Sequence, residues 1–176
     1  RAPNRCAGKA EREAASVLSN AQRHTHFLDS PRIAKCMARS DFHFSDLRHR
    51  ITSVFLVLPP NRLDAYSRWL RLLVSQALQD IARDAERPLG PQIAAQPPVE
   101  RLKAPALFLL DEFAALGRLE AVERAMGLMA GYGLQLWPIL QDMSQLRDLY
   151  GQRASTFVAN AGVQQVFGVN DFETAK

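Results

Sequence analysis

The chain has 176 residues, is 47% apolar and 23% charged, and carries a formal net charge of +4. That length and balance allow one domain with a real core and a small second one, and they exclude an intrinsically disordered or fibrous chain. The charge is uneven: ten Lys or Arg face five Asp or Glu in residues 1–50, against twelve and thirteen in the remainder, and all four histidines (His24, His26, His43, His49) lie in the first fifty.

A basic first third is compatible with contact to nucleic acid or an acidic partner, and equally with a solvated basic face. Cys6 and Cys36 match no C-x-x-C spacing, which predicts a reducing compartment and two structural thiols. His24, His26 and Cys36 lack the paired spacing of a zinc site. The apolar runs are interrupted by Gly131, Gly133 and Pro138 or by Asn160 and Gln164, so none predicts a membrane span. The chain opens without Met and closes on Glu-Thr-Ala-Lys, which predicts a piece of something longer.

In chain order, residues 9–28 place Ala14, Val17, Leu18, Ala21, Thr25 and Leu28 at helical spacing and predict an amphipathic helix. Ser30-Pro31 predicts an N-cap and a proline at the first position of a short helix through Met37. Residues 41–47, with Phe42 and Phe44 between acids, read as a docking loop, followed by the basic cluster Arg48, His49 and Arg50. The apolar run 54–58 predicts a buried strand ended by Pro59-Pro60. A long helix follows, with Leu63, Tyr66, Leu70, Leu73, Ala77 and Ile81 inward and Arg62, Arg68, Arg71, Asp80, Arg83 and Asp84 outward. Five prolines between residues 86 and 105 predict a long connecting loop.

Residues 106–110, Ala-Leu-Phe-Leu-Leu, predict a strand buried on both faces that stops at Asp111-Glu112. An apolar strand ending in two acids is the Walker B pattern of ATP-driven motors, in which the Asp supports Mg²⁺ and the Glu polarises a water. The same pair also occurs where a strand merely gives way to a solvated turn. Beyond Gly117, a helix over residues 118–130 is predicted to bury Leu119, Val122, Met126 and Met129, and Gly131-Tyr132-Gly133 to stop it. Residues 134–140 predict another strand leading to Gln141, and Asp142-Met143-Ser144-Gln145 a capping box for a helix through Tyr150. A helix at 155–160 and an apolar strand at 163–169 complete the series, ending in Asn170-Asp171.

Alternating strands and helices predict an α/β fold with a parallel sheet. Asp111 with Glu112, Gln141, and Asn170 with Asp171 then gather at the carboxyl edge, where such sheets bind ligands. A neutral amide at Gln141 suits a γ-phosphate or its attacking water, because it donates and accepts without adding charge; it also suits a helix cap.

Collinear stretches carry a resemblance. Thr52-Ser53-Val54-Phe55-Leu56-Val57-Leu58-Pro59-Pro60-Asn61-Arg62-Leu63, Leu109-Leu110-Asp111-Glu112-Phe113-Ala114-Ala115-Leu116-Gly117, Ala130-Gly131-Tyr132-Gly133, Gln141-Asp142-Met143-Ser144-Gln145-Leu146 and Asn170-Asp171 together resemble the TraG/TraD-type coupling proteins of conjugation and type IV secretion. The resemblance implies a RecA-like P-loop NTPase domain, here its Walker B side, over residues 49–176, preceded by the end of an all-α subdomain at residues 1–48. It implies ATP and Mg²⁺ as cofactors, with Asp111 on the Mg²⁺ side, Glu112 as catalytic base and Gln141 as γ-phosphate sensor. It further implies a homo-hexamer that engages DNA, a relaxase or secreted effectors and channel components at the cytoplasmic face of the bacterial inner membrane, anchored by a segment outside this chain.

Two departures accompany the resemblance. The phosphate-binding pattern Gly-x-x-x-x-Gly-Lys-Ser/Thr is absent, the only Gly-Lys pair being Gly8-Lys9, so this chain alone is expected to be inactive. Where some members carry an arginine for the neighbouring subunit's nucleotide, this chain reads Leu128-Met129-Ala130-Gly131, with Arg118 and Arg124 as substitutes. The alternative function is a non-catalytic docking module for a substrate protein or relaxosome, using the basic helical region with Phe42, Phe44 and Arg48.

Overall fold

A computed structural model of the chain describes residues 11–86 and 104–168, and the chain divides into two compact units, residues 1–41 and 42–176. The expected loop of prolines falls largely, and the Gly8-Lys9 pair and Asn170-Asp171 wholly, outside the described residues.

In the first unit, helix α1 (Glu11–Thr25) runs through a single 3₁₀ turn (His26–Asp29) into α2 (Pro31–Met37). Ser30 has the extended backbone of an N-cap and Pro31 opens α2, where its missing N–H costs nothing. Phe27 and Ile33 are buried, but the predicted apolar stripe of α1 is not: Val17 and Leu18 are 41% and 60% exposed. The period makes a helix, but burial needs a partner surface for its stripe. Cys36 is likewise exposed, against the expectation of a structural thiol.

The second unit is a layer of helices on a short parallel sheet. Helix α3 (Leu63–Glu86) precedes strand β1 (Ala106–Leu110), which leads through a 3₁₀ turn (Phe113–Leu116) and α4 (Glu120–Leu128) into strand β2 (Leu134–Pro138). Then come α5 (Met143–Tyr150) and α6 (Ala154–Asn160). β1 and β2 pair parallel, from Ala106 opposite Leu134 to Leu110 opposite Pro138, with α4 as the crossover that parallel neighbours require. Val74, Leu78 and Ile81 of α3 share one buried cluster with Ala106, Leu110, Leu134, Val122, Leu146 and Phe157.

Three expectations are corrected. β1 is not buried on both faces: Ala106 and Leu110 point into the cluster, while Leu107 and Leu109 are 53% and 56% exposed. Second, the runs 54–58 and 163–168 form no strand; Phe55, Val57 and Phe167 are more than 80% exposed, at 83%, 81% and 86%. A strand exists only where a neighbour accepts and donates its backbone bonds, and among the described residues β1 and β2 alone form a ladder. Third, α3 does not send all its charges outward. Its buried stripe runs through Val74, Ala77, Leu78 and Ile81, and Arg71 and Asp84 extend that face by one turn at either end.

Candidate functional site

The β1–β2 ladder continues past the strands and skips two residues. The Ile139 N–H donates to the Leu110 carbonyl at 3.0 Å, and the Ile139 carbonyl accepts from the Phe113 N–H at 3.0 Å. In a regular parallel ladder the second bond would come from residue 112, so Asp111 and Glu112 together oppose Ile139 as a bulge. Glu112 takes the left-handed conformation, φ 49° and ψ 47°, alone among the described non-glycine residues. Its N–H donates to Asp111 Oδ1 at 3.2 Å, and both side chains are exposed at the carboxyl end of β1. The bulge lifts the two acids out of the sheet while the chain on either side stays bonded to it.

Residues 113–119, beyond the bulge, are tied down closely. The Glu112 carbonyl accepts from Ala115 at 2.8 Å, and Phe113, 0% exposed, stacks on Tyr150 with ring centroids 6.0 Å apart and lies 5.9 Å from Phe157. The Tyr150 hydroxyl accepts from the Leu119 N–H at 3.1 Å, and burial pushes the phenol above its ordinary pKa. Gly117, at φ +63°, reverses the chain against Arg71, whose Nη1 donates to the Leu116 carbonyl and Nη2 to the Arg118 carbonyl, both at 2.8 Å.

Gln141 lies on the adjoining strand's exit, three residues beyond Pro138, and is exposed. Asp142 caps α5 as predicted, accepting from the Gln145 N–H at 2.9 Å, and it also accepts from the Ser144 hydroxyl. The Ser144 bond first, then the Gln145 N–H, holds this carboxyl below its ordinary range. The return bond differs from a capping box: Gln145 Oε1 accepts at 3.1 Å from Gln141, one residue before the cap. Gln145 therefore fixes the backbone of Gln141.

The parallel register brings the exits of β1 and β2 side by side, so Asp111, Glu112 and Gln141 lie at one end of the sheet. Arg118 stands 3.8 Å from Glu123, which also pairs with Arg153 at 2.6 Å, and Arg124 is exposed on α4. Arg48, expected as a docking cation, is only 12% exposed and is bonded to Asp84 at 3.0 Å. Phe42 and Phe44 pack edge to face on each other at 5.3 Å. The sequence pattern put Arg71 on the outward face of α3 and Tyr150 only at the end of a helix; the signal for Arg71 was its place one turn before Val74 and two before Leu78 on the buried face of α3.

The family model for type IV secretory system conjugative DNA transfer matches residues 4–176. The chain belongs to that family. Among curated relatives, the conjugal transfer protein TraG of Escherichia coli is 32% identical over 171 residues, covering 94% of this chain and 26% of that protein. Protein VirD4 of Agrobacterium fabrum is 34% identical over 145 residues, covering 82% of this chain and 20% of the relative. A probable conjugal transfer protein TraG of Sinorhizobium fredii is 32% identical over 162 residues, covering 90% and 23%. The chain thus spans about a quarter of the length, or less, of the curated relatives it matches. Among its described residues, no helix is long and apolar enough to cross a membrane.

Proposed function

We propose that this chain is the acid-bearing side of a RecA-like, ATP-driven motor domain in a coupling protein that recruits DNA, or a relaxase joined to DNA, and moves it into a type IV secretion channel. The observation that carries the proposal is the bulge that projects Asp111 and Glu112 from the carboxyl end of β1, beside the strand that leads to Gln141. That is where a parallel sheet offers its ligand site.

The donor set fits a magnesium nucleotide. Among the described residues no three His, Cys, Asp or Glu side chains converge as a metal cage. Mg²⁺ needs none, since it keeps its waters and the phosphate oxygens and takes one or two carboxylates from the protein. Bound Mg²⁺ and ATP supply an electrophilic γ-phosphoryl group whose charge the metal spreads. Asp111 stands on the metal side. Glu112 orients the attacking water and takes its proton, and Gln141 donates to or accepts from the γ-phosphate region without adding charge. The phosphate-binding loop belongs to another part of the protein, so this chain by itself does not turn over ATP. The working form is a ring of six copies at the cytoplasmic face of the inner membrane, held there by a segment outside this chain.

DNA-dependent ATP hydrolysis by the full-length protein, beside its Glu112→Gln variant, tests the proposal. Turnover that rises with DNA and disappears in the variant supports it; turnover that survives Glu112→Gln overturns the assignment of the base.

A further inference from the structure

We infer that Arg71 is a positioning residue for the Asp111-Glu112 pair, holding from α3 the loop that carries it. The inference rests on the hydrolytic reading of that pair given under Proposed function.

A left-handed glutamate in a bulge is not a low-energy state for an L-residue, and it persists only if the surrounding chain is over-determined. The constraint comes from residues 113–119. The two ends of this loop are pinned by the ladder bond at Phe113 and by the Tyr150 hydroxyl at Leu119. Between those anchors, the Glu112 carbonyl accepts from Ala115 and the Ala114 carbonyl from Gly117, winding the turn so that the Leu116 and Arg118 carbonyls converge on one guanidinium. Both bonds are 2.8 Å long, a length typical of charge-assisted donors.

The residue between the two carbonyls is also committed to this contact. A Cβ at Gly117 would lie 3.0 Å from Arg71 Nη1, tighter than most side-chain contacts, and the positive φ of 63° favours glycine there as well. Two nitrogens in a fixed plane meet two carbonyls in a fixed turn. A lysine ammonium, a compact charge on a flexible stem, lacks that planar fork and does not fix the two carbonyls relative to one another. Arg71 is thus the cross-link between a long helix and the acid loop, 45 and 47 residues away in sequence. A misplacement of about 1 Å at a reacting group can cost around a hundredfold in rate, which gives such a cross-link a kinetic role.

The test uses the full-length protein as parent, Arg71→Met, Arg71→Lys and Glu112→Gln, measuring kcat and KM for ATP, the melting temperature and amide hydrogen exchange over residues 113–119. With Glu112→Gln inactive, the expected result for Arg71→Met is a kcat lower by about ten- to a hundredfold, a KM within about twofold of the parent and faster exchange confined to 113–119. Arg71→Lys falls between the two. If Glu112→Gln is inactive but Arg71→Met keeps the parent kcat, or loses activity only in step with folded protein, the positioning role is overturned and the acid pair stands. Turnover in Glu112→Gln overturns both. Should Arg71→Met fail to fold, Arg71→Lys carries the test alone: a lowered kcat at constant KM with faster loop exchange supports the role, and parent kcat overturns it.

Discussion

Asp84 Oδ2 accepts from Arg48 Nη1 at 3.0 Å, joining the end of α3 to a residue 36 positions earlier. The other oxygen of Asp84 lies 3.0 Å from His49 Nε2, and the aspartate is only 12% exposed. The Arg48 guanidinium also lies against Gly133, the left-handed residue that enters β2. The basic cluster before the run 51–58 therefore serves the packing of the second unit.

Because the pair is mostly buried, removing one partner strands the other charge. Asp84→Ala is expected to destabilise the protein by about 3 kcal/mol, and Arg48→Met with Asp84→Ala together by less than the sum of the single changes. Urea unfolding of the four proteins of this cycle checks it; additive losses would show that the pair has no coupling.

Phe113 follows the acids directly and is fully buried between Tyr150 and Phe157. Phe113→Ala should cost about 3–5 kcal/mol through lost burial and the cavity left behind, and Phe113→Leu markedly less. Thermal melts give the comparison, and equal melting temperatures for parent and Phe113→Ala would contradict the packing.

At Glu112, the left-handed backbone makes a prediction separate from its carboxylate. Glu112→Gly and Glu112→Ala both remove the acid, but only glycine relieves the conformation, so the glycine variant should be the more stable by about 1 kcal/mol. Denaturant midpoints decide it; an alanine variant at least as stable as the glycine one refutes the strain.

Asp142 contributes an acid limb to stability. Its carboxyl is held below the ordinary range by the Ser144 hydroxyl and the Gln145 N–H, so the stabilisation is complete above the unfolded carboxylate pKa and is lost as pH falls through the lower folded value. Asp142→Asn keeps a capping oxygen but no titration. The difference between the melting curves of parent and variant should therefore shrink with acidification, and a constant difference across that window would exclude the linkage.

Leu107 and Leu109 of β1 and Trp137 of β2 leave one face of the sheet apolar and exposed, at 53%, 56% and 46%. The isolated chain is expected to self-associate through such surface, and the double change Leu107→Thr with Leu109→Thr to shift it towards monomer. Sedimentation at two protein concentrations measures this; a monomer at both concentrations for the parent chain would refute it.

Helix α4 ends at Leu128, and a 3₁₀ turn carries the chain through Gly131 to Tyr132, past the expected glycine stop. Periodicity and end signals in the sequence by themselves determined the other local elements: α3, the strand that ends at Asp111, and the Asp142 cap. These depend on side chains within a few residues of one another, so the sequence contains the whole cause. Collinear motifs determined the family as well. Only the tertiary structure decided which apolar runs became strands, because a ladder needs a second backbone: 106–110 and 134–138 found each other, and 54–58 and 163–168 did not. Tertiary structure also turned Arg71 and Asp84 inward, since a charge at the end of a helical stripe is buried only where a distant carbonyl or guanidinium meets it. The bulge at Asp111-Glu112 has the same origin. The order of residues placed two acids at a strand end, and the bonds from Ile139 to either side of them set how they are presented.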